Sequence, residues 1–140
     1  MRNILVILVT FLFLPLAWPQ SAKELAAVVG SWEGESKCTV ADSPCHDEHV
    51  LYQIAVDKKE PDQLNLDAYK VIEASPEFMG TLACRYRAKQ AALSCTANTS
   101  QHDDWQFHIF GNAMTGKLTI DSGKTVYRRI SVHRAEAKGN

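Results

Sequence analysis

From Gly30 onward the chain is a series of short segments in which apolar and polar residues alternate, broken at intervals by turn-forming residues. That period of two is the mark of antiparallel strands half buried on one face. Eight runs can be read: 31–39, 49–56, 63–71, 78–87, 91–97, 104–110, 113–120 and 125–134. In the second, Val50, Tyr52, Ile54 and Val56 share a face, and in the sixth Trp105, Phe107 and Ile109 do. Pro44, Pro61, Pro76, Gly111-Asn112 and Asp121-Ser122-Gly123 punctuate the series. Ahead of it, Lys23 to Val29 forms a short helical or irregular lead-in, and the tail from Ala135 is expected to fray.

No long pattern of helical period interrupts the runs, and their connections are short. Short connections force neighbours in sequence to pair antiparallel, because a parallel crossover needs a longer link. Eight such strands leave two unpaired edges unless the sheet closes. The expected fold is therefore all-β, an eight-stranded antiparallel up-and-down barrel. A two-sheet sandwich is the alternative.

The first residues change the picture of where this domain resides. Met1-Arg2-Asn3 precedes an apolar run, Ile4 to Leu14, and Pro15, Ala17, Pro19, Ser21 and Ala22 follow. A basic start, a short apolar centre and small residues near a break make a secretory signal peptide. We place it over residues 1–22, with cleavage after Ala22 or, second, after Ala17, and a retained anchor as the alternative. A single domain then occupies 23–140, and it is expected to be secreted or periplasmic, with no membrane span in the mature chain. Cys38, Cys45, Cys84 and Cys95 all fall in it, an even count that implies disulfides. Of the three possible pairings we favour Cys38–Cys45 and Cys84–Cys95, since each pair flanks a short segment able to reverse direction. Zinc is the rival reading, but the paired C-x₂-C spacing is missing.

Charge excludes one class of partner. The chain has 15 basic and 16 acidic residues, a formal charge of −1, and losing Arg2 with the leader leaves 14 against 16. These charges are scattered, so there is no basic field for nucleic acid.

Gly30-Ser31-Trp32 opens the first run and Tyr127-Arg128-Arg129-Ile130 lies in the last. This arrangement resembles the lipocalin and wider calycin pattern, which has G-x-W on the first strand and an Arg near the end of the barrel. The resemblance implies that the Arg stacks over the Trp and closes one end. Arg128 shares a face with Val126 and Ile130, so it is the expected partner of Trp32. The chain is shorter than the larger lipocalins and lacks their C-terminal helix. Small calycin barrels include biotin-binding avidins and bacterial protease inhibitors, and no residue set here selects either.

Candidate chemistry is sparse. Tyr52, Leu66, Met79, Trp105, Phe107 and Met114 are the candidates to face the lumen, as the wall of a ligand site or as a filled core. The cluster Cys45-His46-Asp47-Glu48-His49 offers His46, Glu48 and His49 as weak metal ligands, against the plainer reading of a charged turn beside a disulfide. Ser36, Ser94 and His108 form no nucleophile-and-base signature, and His108 falls opposite Trp105 and Phe107, so neither an enzyme nor a haem protein is expected. Asn98-Thr99-Ser100 is a glycosylation sequon. The resulting expectation is a non-catalytic barrel, without cofactor, that binds a small apolar or amphipathic ligand. The alternatives are a barrel without a cavity that docks or inhibits a protein partner through the lead-in or the open-end loops, and a metal-binding protein using the Cys45–His49 segment.

Overall fold

A computed structural model describes residues 21–97 and 103–136. The expected leader, up to residue 20, and the sequon at Asn98 lie outside them. The described chain runs α1 (Ala22–Leu25), β1 (Gly30–Cys38), β2 (Glu48–Val56), β3 (Leu64–Ile72), β4 (Ser75–Arg87), β5 (Ala92–Ala97), β6 (Asp104–Phe110), β7 (Ala113–Ile120) and β8 (Thr125–Arg134). Every sequential pair is antiparallel, and β1 also pairs with β8, closing an up-and-down barrel of eight strands. Closure leaves no edge strand to template aggregation.

One boundary departs from the sequence reading. Ser75-Pro76 was expected as a break, but β4 begins there and Pro76 pairs with Val71. The reversal occurs earlier, at Glu73 and Ala74, which both take left-handed conformations, φ 48° and 64°. Two such residues in succession make the tight turn whose twist suits a hairpin. Among the described residues the ladder between β4 and β5 runs to Leu82 and Ala97, so Pro76 interrupts none of its pairs.

Side-chain size is graded along the barrel. At the end carrying the first residues of β1, inward positions hold Trp32, Leu64, Leu93, Phe107 and Met114, all essentially buried. Burying aliphatic or aromatic side chains of this kind contributes roughly 1.5–3 kcal/mol each. Tyr52 and Phe107 meet edge to face, 5.9 Å between centroids, across the middle of the interior. Gly116 sits opposite Phe107, and a Cβ there would collide with the ring, so this half depends on a missing side chain. Towards the other end β1, β3, β4 and β5 turn small residues inward, Ser36, Ala68, Gly80 and Ala97, beside the larger Trp105, Leu118 and Arg128 of β6, β7 and β8.

The lead-in closes the packed end. Ser21 caps α1 in a reciprocal capping box with Glu24. Beyond it Val28 is fully buried, and its carbonyl accepts the Trp32 indole N–H at 2.9 Å. The arginine over Trp32 is Arg134, 4.5 Å from the ring centroid, and not Arg128. Arg134 stands opposite Trp32 in the β1–β8 register, whereas Arg128 stands opposite Cys38 at the far end of the barrel. Both arginines face inward, and only the register separates them.

Both expected disulfides are present. Cys38–Cys45 ties the end of β1 to the loop before β2, and Cys84–Cys95 joins directly opposed residues of β4 and β5.

Candidate functional site

Where the inward side chains become small the barrel is hollow. The space measures about 410 Å³ and opens at the end opposite Trp32. Val50, Tyr52, Leu82, Trp105 and Leu118 form its apolar wall, and Ala68, Gly80 and Ala97 leave the room. A surface depression over Ser31, Glu33, Leu51 and Pro76 is larger, about 520 Å³. Those residues belong to the outer faces of the strands or to the chain beyond them, so this depression is no part of the interior.

Of the expected lumen residues, Tyr52, Met79 and Trp105 line the hollow. Leu66, Phe107 and Met114 are buried in the filled half and form part of the core. Met79 reaches the wall by a device that simple alternation does not encode. Leu82, Cys84 and Tyr86 are inward by parity, so Met79 belongs to the opposite set. Between Ala68↔Gly80 and Tyr69↔Phe78 the register slips, leaving Met79 as the extra residue of a bulge. A bulge re-aims side chains in this way. A second slip, between Leu118↔Arg128 and Thr119↔Val126, makes Tyr127 the extra residue beside Arg128.

Among the described residues two charged ones line the hollow, Glu48 and Arg128, and they form an ion pair at 3.2 Å. Their side chains are 27% and 15% exposed. The Arg128 Nη1 also donates to the Ser36 carbonyl at 3.4 Å, the Ser36 hydroxyl at 3.3 Å and the His46 carbonyl at 3.1 Å. The Cys38–Cys45 disulfide and a bond from the Cys38 N–H to Asp47 Oδ1, 2.8 Å, hold the loop that presents His46. Burial pushes the Tyr52 phenol far above its usual range, with Arg128 opposing and Glu48 reinforcing the shift. Tyr52 is therefore a neutral hydroxyl-bearing wall residue at any physiological pH.

The proposed metal ligands do not converge. Glu48 faces the hollow, while its neighbour His49 lies on the outside between Glu33, 2.8 Å away, and Glu35, 3.2 Å away. Successive strand residues point to opposite faces, so these two cannot share an ion. Among the described residues no group of three His, Cys, Asp or Glu side chains is placed to hold a metal.

Sequence reasoning missed Ser36, Ala68, Leu82, Ala97 and Leu118 as wall residues, and it assigned Glu48 and Arg128 other roles. The signal was available as a run of small inward residues near one end of several strands.

The site and fold together define a closed eight-stranded antiparallel barrel, filled at one end and hollow at the other, which fits a calycin-like fold. No protein-family model, no curated protein and no solved structure matches the chain. Among the described residues no helix is long and apolar enough to cross a membrane.

Proposed function

We propose that the protein is a secreted or periplasmic, non-catalytic barrel of lipocalin-like type that takes a small apolar or amphipathic ligand into the hollow. The observation that carries this reading is the group of small inward residues, Ser36, Ala68, Gly80 and Ala97, which leaves about 410 Å³ behind an apolar wall. Ligand sites commonly enclose roughly 300–1,000 Å³, lined by apolar groups with a few placed polar ones. The two bulges beside the wall fit the same reading, since bulges gather at barrel rims and binding sites. The leader-like start and the two disulfides support an oxidising, extracytoplasmic location. The Ser36 hydroxyl, the one serine hydroxyl among the described residues of the wall, is engaged by Arg128.

Titration with a neutral apolar fluorophore such as N-phenyl-naphthylamine tests the proposal. Saturable binding by the wild type, abolished by Ala97→Trp, is the expected result. Failure of the wild type to bind, or equal binding by the filled variant, removes the reading. Native mass spectrometry of protein from its own source would then identify the occupant.

One observation favours a second role for the same rim. On the β3–β4 hairpin, Ile72 and Phe78 are 45% and 60% exposed, as a surface for a protein partner would be. A partner held by that surface would be lost with Phe78→Ser while fluorophore binding stayed unchanged.

A further inference from the structure

We propose that Glu48 makes the hollow selective for neutral amphiphiles, whose uncharged oxygen accepts hydrogen bonds from Arg128. The proposal rests on the reading of the hollow as a ligand site and names the class of ligand it takes.

The argument begins with charge balance. Among the described residues Glu48 and Arg128 are the charged groups of the wall, and they neutralise each other at 3.2 Å. The other acceptors of Arg128, two carbonyls and the Ser36 hydroxyl, are neutral and hold the guanidinium in place without cancelling its charge. A guanidinium has five N–H donors in a fixed fork. Among the described residues the hydrogen bonds of Arg128 run through Nη1, so Nε and Nη2 remain for an occupant of the hollow it lines.

Three kinds of headgroup then separate. A carboxylate reaching those donors would stand beside Glu48 as a like charge, leaving a net negative site against an apolar wall. An alkylammonium would meet Arg128 in the same position. Burying either charge without a counterion is strongly unfavourable. A hydroxyl, ester or amide oxygen accepts from Arg128 and leaves the ion pair intact. The nearby Tyr52 hydroxyl is a neutral phenol at neutral pH, and burial raises its pKa further, so it adds polarity and no charge. Glu48 is thus the specificity-determining residue, and deleting its charge turns the Arg128 wall into an anion site.

Calorimetric titration of the purified protein with decanol, decanoate and decylammonium at neutral pH tests this, in the wild type and in Glu48→Gln. The wild type is expected to bind decanol about tenfold or more tightly than either charged probe, the order expected when a buried charge lacks a partner. Glu48→Gln should raise decanoate affinity about tenfold while changing decanol by less than about threefold. Wild-type protein that prefers decanoate or decylammonium, or binds either as well as decanol, overturns the proposal but leaves the hollow a ligand site. A folded Glu48→Gln protein with no gain for decanoate also overturns it. Absence of saturable binding by all three probes overturns both this proposal and the reading beneath it. Should the variant fail to fold, the order of the three probes on the wild type decides alone.

Discussion

Arg134 sits over the Trp32 indole, 4.5 Å from the ring centroid, and donates to the Val29, Ala26 and Ala27 carbonyls at 2.8, 2.9 and 2.8 Å. One side chain from the last strand thus satisfies the carbonyls that end the α1 segment and covers the largest ring of the core. Arg134→Ala should lower unfolding free energy by about 2–4 kcal/mol, the sum expected for a desolvated cation–π contact and charge-assisted hydrogen bonds. Arg134→Lys should recover little, since an ammonium cannot reach three divergent carbonyls while lying over a ring. Urea denaturation measures both, and a loss below about 0.5 kcal/mol for Arg134→Ala contradicts the stated role.

Alternation along β8 points to Arg128 for this task, and the register gives it to Arg134 instead. Period two fixes which face a residue occupies, and both Arg128 and Arg134 face inward. It does not fix height along the barrel, which follows from the β1–β8 register that places Trp32 opposite Arg134. Strand count, closure and both disulfide pairings were legible because they depend on face, spacing and short connections. Met79 borders the hollow although its parity is that of the outer face, because it stands at a bulge, and it remains 45% exposed. Leu66, Phe107 and Met114 were correctly inward but lie in the filled half, again a matter of height. The hollow itself is a property of several strands compared at one level, which no single run reveals.

Gly34 offers a sharper test of packing at the β1–β8 seam. A Cβ there would collide with the Ser131 carbonyl oxygen and the Val132 Cα, both backbone atoms that cannot rotate away. Gly34→Ala should therefore cost about 2–4 kcal/mol, or prevent folding, in the range of severe overpacking. Gly116→Ala should cost less, since its Cβ would meet the Phe107 ring most closely and the Gln106 carbonyl oxygen less closely than the Gly34 Cβ would meet its backbone neighbours. Thermal unfolding of the two variants orders them, and a Gly34→Ala protein as stable as wild type contradicts the close approach of β1 and β8.

The two disulfides should differ in consequence more than in stability. Their separations of 7 and 11 residues close loops of similar size, so chain entropy assigns each about 2–3 kcal/mol. Cys38–Cys45, however, fixes the loop whose His46 carbonyl accepts from Arg128. A Cys38→Ser, Cys45→Ser double variant should weaken binding of a neutral fluorophore about threefold or more, beyond its effect on stability. Cys84→Ala, Cys95→Ala should leave the affinity of the folded fraction unchanged. The reverse order of effects on affinity contradicts this assignment.

His49 gives the outer face a pH dependence whose sign follows from its neighbours. Its Nε2 is 2.8 Å from Glu33 and its Nδ1 3.2 Å from Glu35, so both ring nitrogens face carboxylates. The hydrogen bond to Glu33, then that to Glu35, raises its pKa above 6.5, against a smaller opposing effect of burial. Because the folded value is raised, the protonated ring stabilises the barrel fully below the unfolded pKa. That contribution is lost as pH rises through the folded value, where a neutral ring must turn a lone pair towards one carboxylate. The His49 side chain is 39% exposed, so solvent screens the pair and the effect is about 0.5 kcal/mol or less. Urea midpoints measured between about pH 5.5 and pH 8.5 for wild type and His49→Gln isolate it, because the substitution removes that ring alone. Wild type should lose more stability than the variant on going to the higher pH, and added salt should shrink the gap. A gap of opposite sign would mean that the neutral ring is the form this surface prefers, which two facing carboxylates do not permit.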